Sequence, residues 1–374
     1  AFPEIEETYD KAAALREAAR CYRCDAETGS ADYSVHHRED LFSMARTNPL
    51  DQGKHRAMLQ RRLQLRDNPF PKDRWPSLDD LVFLPANLSR LVIDPYREAC
   101  RIDVALGGTL TLDLPFLVTG FDTAPEDVRL AVGAALNELG VVYCGRKPLS
   151  EATPWLALDP DAHCDALAGR ILPWDCLSGL DCFDGLRGAS VSRSGDVEPA
   201  VDAALEHGLD LLLLDGTTGA GDLGGELGNP PQFDLLPSAV MALRQRRREE
   251  HVALVYTGGV RSGTDAAKMI AMGASAVIYG VAAAIAVGGT IQDGTIHYLA
   301  DRTAEDRTTA LGALLQANAS EASIMARCTG KTRLHNLEPE DLRAVTLATA
   351  KVTQIPLVGH RATSGAVVGV PGLA

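Results

Sequence analysis

The sequence has no apolar run approaching the roughly 20 residues that a membrane span needs. Its longest, Val277–Val287, is alanine-rich and interrupted by Gly280. Positive charge is scarce: 36 Lys and Arg stand against 50 Asp and Glu, a formal charge of −14 with a pI near 5.1. That balance argues against nucleic acid as a partner, since no basic surface is on hand to release counterions. The one dense basic run, Arg244–Arg248, closes a helical pattern, where cations favour the macrodipole and read as a solvated helix end. A signal peptide is missing as well: the acidic start, Ala1–Glu7, has neither its basic nor its apolar region. The chain also begins without an initiator Met, which fits a processed chain or a part of a longer one. Eight Cys in 374 residues make no disulfide framework, so the expected location is cytoplasmic, with free thiols or metal ligands. There is no G-x-S-x-G turn, and His163, His207, His251 and His335 accompany no recognisable nucleophile.

What is present reads as an ordinary globular protein, 46% hydrophobic and 23% charged. Its length allows one barrel with extensions or two domains. Residues 1–76 read as a mainly helical extension, with helical patterns at 9–20, 39–46 and 55–65, and Pro69, Pro71 and Pro76 mark its end. From Ser77, a Ser-x-x-Asp start resembles a capping-box variant. Thr109–Leu114 alternates apolar and polar residues and predicts a short strand or hairpin arm. Apolar runs then recur at Leu114–Gly120, Val141–Gly145, Trp155–Leu158, Ile171–Trp174, Ala189–Ser192, Leu211–Gly216, Val252–Gly258 and Ala276–Gly280. Helical spacing separates several of them: Ala124–Leu139, Val197–His207, Leu235–Arg248 and Thr264–Met272. Between about 148 and 186 there is little room for full helices. Strand and helix alternating at this spacing predict parallel βα units closing an α/β (β/α)8 TIM barrel over 77–374. After Gly289 the chain is expected to be helical, at Arg307–Met325 and Glu338–Ala350, around a loop at Cys328–His335.

The last three strand ends look chemical. Active sites of such barrels sit at the C-terminal strand ends, often with a phosphate site after strands seven and eight. Gly258, Gly259, Ser262 and Gly263 follow strand seven there, and Tyr279 and Gly280 close strand eight. Glycine lets backbone N–H groups converge without a Cβ in the way, and a helix start adds partial positive charge. Arg261 can add a charge-assisted bond; the bland alternative is a tight βα turn with nothing bound. Asp215 can orient a ring or a substrate amine, or cap its own turn. Arg146 and Lys147 place two cations at a barrel mouth, for a substrate carboxylate or as a solvated loop. Cys21 and Cys24 have metal-like spacing, but a zinc or Fe–S site needs four ligands and no second C-x-x-C occurs. Cys144 and Cys328 read as buried small residues.

Leu81–Glu98, with the strand ends Leu211–Gly216, Thr257–Gly263 and Tyr279–Gly280, resembles the FMN-binding glutamate synthase domain family over roughly residues 77–350, with gaps. The resemblance implies FMN as cofactor, with its phosphate at Gly258, Gly259, Ser262, Gly263 and Gly280 and its ring beside Pro115–Gly120, which includes Thr119 and Gly120. Departures are marked. The ring-side turn is shortened to Thr119–Thr123, and Gly145–Pro148 replaces a glycine-rich stretch. Most of the family's middle segment is missing between 148 and 189. No Cys occurs over 291–316, where the family binds a 3Fe–4S centre, and residue 1 is Ala where a glutaminase would need Cys. Separately, Glu17–Cys24 resembles the cysteine-containing tail of the family's FAD/NAD(P)H-dependent small subunits. That implies an Fe–S cluster shared with a reductase module through Cys21 and Cys24.

These readings make the chain an FMN-dependent oxidoreductase subunit of a hetero-oligomer. It would take electrons from an NAD(P)H/FAD/Fe–S partner and reduce a small carboxylate- or imine-bearing substrate. The alternative is a barrel that has lost its substrate site, and with it possible use of FMN, and serves as an assembly subunit. A phosphate-binding aldolase-type barrel ranks last, because Lys147 lies on a loop.

Overall fold

Strands buried along their whole length need a sheet covered on both faces, and the chain builds one. A computed structural model describes residues 10–13, 53, 75–86, 99–180, 183–217 and 219–358. The chain divides into two units, Ala1–Arg74 and Trp75–Ala374. In the first, residues 11–13 are helical and the Asp10 carboxylate accepts from the Ala13 N–H at 2.6 Å. Cys21, Cys24, the helical patterns at 39–46 and 55–65, and residues 87–98 of the family-like opening segment lie outside the described residues.

The second unit opens with β1 (Leu81–Phe83) and a hairpin of β2 (Val104–Leu106) and β3 (Leu110–Leu112). Then come β4 (Phe116–Val118), α1 (Glu126–Leu139), β5 (Val142–Gly145), β6 (Trp155–Ala157), β7 (Leu167–Pro173) and β8 (Leu186–Val191). Next are α2 (Val197–Glu206), β9 (Leu211–Asp215), α3 (Leu223–Gly228), α4 (Leu235–Arg246), β10 (Ala253–Thr257), α5 (Gly263–Ala271), β11 (Ala276–Tyr279) and α6 (Val281–Ala286). The chain ends through β12 (Gly289–Gln292), β13 (Thr295–Tyr298), α7 (Ala304–Cys328), β14 (Leu342–Ala344) and α8 (Leu347–Thr353).

Strands β4 to β11 form a closed barrel, each parallel to its sequence neighbour, with β11 returning to β4. Successive strand residues point to opposite faces. Leu211 and Leu213 accordingly join Leu117, Val142, Cys144, Leu156, Ile171, Val255 and Ile278 in the barrel interior. Leu212 and Leu214 join the larger outer cluster with Val118, Tyr143, Tyr256 and Tyr279. Val104, Leu106 and Leu112 of the β2–β3 hairpin belong to the interior cluster too, so the hairpin stops one end of the barrel.

The outer layer is incomplete. Among the described residues no α-helix lies between Leu139 and Val197. Trp155 covers part of that gap: it is 2% exposed, and its indole N–H donates to the Gly145 carbonyl at 2.9 Å.

Two expectations for the C-terminal part need correction. Residues after Gly289 are not all helical: β12 and β13 pair antiparallel around Asp293 and Gly294, whose φ values are 50° and 73°. An Asp-Gly pair with both φ positive makes the tight turn that matches strand twist. Nor does a helix cover Glu338–Ala350. Pro339 starts a single 3-10 turn, β14 then pairs antiparallel with β1, and α8 begins only at Leu347. Cys144 is buried as expected, whereas Cys328, at the end of α7, is exposed. No helix among the described residues is long and apolar enough to cross a membrane.

One buried imidazole gives this architecture a pH dependence. His335 Nε2 lies 2.8 Å from the Ser275 carbonyl, while Nδ1 is buried without a partner. Burial lowers its pKa below the ordinary 6.5, so the folded chain favours the neutral ring, with Nε2–H donating. A depressed folded pKa contributes stability that is present above the unfolded value and is lost as pH falls through the folded one. Urea midpoints of the unmodified chain and of His335→Gln should therefore lie apart at about pH 7.5 and converge near about pH 5. A gap that does not change with pH would contradict this.

Candidate active site

Register decides which turns meet at the barrel mouth. Thr257 stands opposite Asp215 on one side and Ile278 on the other, and Tyr279 stands opposite Val118. The turns beginning at Gly216, Gly258, Gly280 and Thr119 are therefore neighbours.

Gly258 and Gly259 have φ values of 124° and 67°, a backbone that residues with a Cβ rarely adopt. This turn places the Gly259 N–H beside the start of α6, and both donate to one carboxylate. Glu226 on α3 accepts from Gly259 N–H at 3.2 Å and from Val281 N–H at 2.9 Å. Burial raises the Glu226 pKa, against the two N–H bonds that lower it, with the nearby Asp215 charge raising it further. On the same helix Leu223, 9% exposed, covers Gly120: a Cβ there would come within 2.2 Å of a Leu223 methyl carbon.

The other predicted phosphate residues have partners of their own. Ser262 caps α5, its hydroxyl accepting from the Asp265 N–H at 3.1 Å. The Gly263 N–H donates to Glu321 at 2.9 Å. Arg261 donates to Asp265 at 3.0 Å and to Asp79 at 2.7 Å. The bond from Arg261 holds the Asp79 carboxyl below its ordinary range. The Tyr279 hydroxyl donates to the Ser262 carbonyl at 3.1 Å, and burial pushes its pKa up. Asp215 caps its own turn, accepting from the Thr217 N–H and hydroxyl at 2.9 and 2.6 Å and from the Ala220 N–H at 2.8 Å.

The ring-side turn is buried as well. Thr119 is 5% exposed and its hydroxyl has no hydrogen-bond partner. Asp122, which sequence reasoning passes over, organises the rest: it accepts from the Tyr143 hydroxyl at 2.8 Å and from the N–H groups of Arg146 and Lys147 at 2.9 and 3.3 Å. The backbone of the Arg146–Lys147 loop is thus anchored while both side chains are exposed. Arg146 lines a cavity of about 420 Å³ over the ends of β5 to β9, with Trp174, Ser192, Arg193 and Asp215. Burial inside the barrel pushes the pKa of the Cys144 thiol well up, which disfavours the thiolate form. Among the described residues no three His, Cys, Asp or Glu side chains group as metal ligands.

The residues present match FMN only in part. The amides of Gly259 and Val281, and the unpartnered Thr119 hydroxyl, suit an anionic ligand with polar groups on its ring. The Glu226 carboxylate and the Leu223 side chain fill the same positions. As folded, the cradle does not admit a phosphate.

Fold and site define an α/β barrel of eight parallel strands with an amide-lined cradle at the ends of its last two strands. Comparison with known proteins agrees. The FMN-dependent dehydrogenase family model matches residues 201–314, the span that carries β9, β10 and β11. A glutamate synthase large subunit-like protein of Rhizobium meliloti (strain 1021) is 34% identical over 394 residues, covering 77% of this chain and 89% of that protein. An archaeal-type glutamate synthase (NADPH) of Thermotoga maritima is 34% identical over 110 residues, only 21% of its length. Among solved structures, a flavocytochrome b2 variant with benzoylformate matches with a TM-score of 0.52 at 17% identity, over 73% of this chain and 78% of that one, a likeness of fold. The chain belongs to the glutamate synthase large subunit-like family.

Proposed function

We propose that this chain is the barrel subunit of a glutamate-synthase-like redox complex that reduces a small carboxylate- or imine-bearing substrate at the barrel mouth. Electrons would come from an FAD/NAD(P)H-dependent or Fe–S partner, and Cys21 and Cys24 are the residues a shared cluster would use. The observation that supports this reading is the mouth cavity. In a chain with a net charge of −14, Arg146 and Arg193 both line it, beside the half-buried Trp174 and together with Asp175, Asp196 and Asp215. A guanidinium offers a carboxylate two parallel N–H donors, and an indole offers a flat apolar wall. Asp122, through two backbone N–H groups, holds the loop that presents Arg146.

Trp174 also provides the signal for a test. Titrating the protein with 2-oxoglutarate, a dicarboxylic 2-oxo acid, should change Trp174 fluorescence saturably. Arg146→Ala should weaken that binding at least about tenfold, the loss of one charge-assisted pair. A second reading, an assembly subunit without a substrate of its own, is favoured by the filled cradle. It predicts no saturable response from either chain, and that result would sink the first reading.

A further inference from the structure

We propose that Glu226 is an intramolecular stand-in for a phosphate group, and that α3 is a latch: while its carboxylate rests on Gly259 and Val281, phosphate-bearing ligands are kept out of the cradle. The inference rests on reading the barrel mouth as a flavin site, and adds what governs entry to it.

The seat is built for α3. A Cβ at Gly280 would approach a Glu226 carboxylate oxygen to 2.3 Å, and one at Gly225 would approach the Thr217 carbonyl oxygen to 2.9 Å. With Gly120 beneath Leu223, three positions are thus without a side chain where α3 comes closest. The two amides it satisfies are those a phosphate would use, and a carboxylate offers a similar pair of acceptor oxygens at roughly half to two-thirds of the charge. The two anions cannot share the site, since like charges in contact repel strongly in a partly buried pocket.

The latch is also weakly held as a helix. Three of its six residues, Gly224, Gly225 and Gly228, are glycine, which lose more backbone freedom in a helix than any other residue. Its N-terminus relies on the Asp222 carboxylate accepting from the Gly224 N–H at 3.0 Å. Contact with the cradle, rather than helix propensity, keeps it in place, so a change at Glu226 should act on the whole segment.

The test compares FMN and riboflavin binding to the full unmodified chain, Glu226→Ala and Glu226→Gln, by flavin fluorescence quenching. Glu226→Ala should bind FMN at least tenfold more tightly than the unmodified chain, with a smaller gain for riboflavin, which lacks the phosphate. Glu226→Gln keeps the volume and removes the charge, so it carries the test if the alanine variant fails to fold, and it too should gain affinity for FMN. Equal FMN affinity across the three chains would overturn the proposal. So would an unmodified chain that purifies with one FMN per barrel, a result that would leave the proposed oxidoreductase function standing. A failed 2-oxoglutarate titration would remove the substrate reading without touching this one, because the readout here is affinity for the flavin phosphate.

Discussion

Replacing Trp155 with alanine is expected to lower the stability of the barrel unit by about 4 kcal/mol, the cost of emptying a large aromatic site. Most barrel strands are covered by a helix packed on their outer face, but β5 to β8 are joined without one. The outward residue of β6 must therefore fill the space that a helix would occupy. Trp155 does so among Tyr143, Leu149, Leu172, Leu177 and Leu180, all buried in the same cluster. Its indole N–H also satisfies the Gly145 carbonyl, which alanine would leave without that partner. A loss of this size is a large share of the roughly 5–15 kcal/mol that holds most domains folded. Calorimetry against Trp75→Ala supplies the control: Trp75 is 69% exposed, and its loss should change stability by no more than about 0.5 kcal/mol. Equal effects at the two sites would show that Trp155 does not substitute for the missing helix layer.

Gly263→Ala is the second large effect. Gly263 begins α5 where it meets α7, and a Cβ there would sit 2.1 Å from the Asn318 carbonyl oxygen and 2.8 Å from its carbon. Backbone cannot turn aside as a side chain can, so the two helices must separate. Separation would also pull the Gly263 N–H away from Glu321, which holds the Thr264 hydroxyl at 2.6 Å as well. Overpacking of this kind should cost about 3 kcal/mol. Gly312→Ala, within α7 and with nothing inside 4 Å of its added carbon, should instead gain roughly 0.5–1 kcal/mol from reduced backbone freedom in the unfolded chain. Opposite signs in urea melts would confirm that close helix packing, independently of any ligand, fixes the glycine at 263. A neutral Gly263→Ala would contradict it.

That result bears on how far a sequence can be read. The barrel is legible because its strands are short apolar runs ending in glycine turns, with helical spacing between them. Leu211–Asp215 and Ala276–Tyr279 are buried throughout, as their composition demands. The β12–β13 hairpin carries a local signal in Asp293 and Gly294, yet its flanking residues alternate weakly and its strands are only four residues each. Strand β14 has no local signal at all: it exists because β1, some 260 positions earlier, supplies its partner, and tertiary pairing overrides local preference.

The site divides in the same way. The glycines at 258, 259 and 280 mark close backbone approach, which is a property of their own positions. What approaches them is set elsewhere. Glu226 sits among glycines in a stretch with no helical periodicity, and only the fold brings its carboxylate to the ends of β10 and β11. Asp122 is similar, an acidic residue in a turn whose importance lies in the Arg146–Lys147 loop it holds from more than twenty positions away.

The most direct measurement is a crystal structure of the unmodified chain grown with excess FMN. The expected density shows the Glu226 carboxylate resting on the amides of Gly259 and Val281, Leu223 over Gly120, and no phosphate in the cradle. Phosphate density bound by those two amides, with Glu226 turned away, would contradict it.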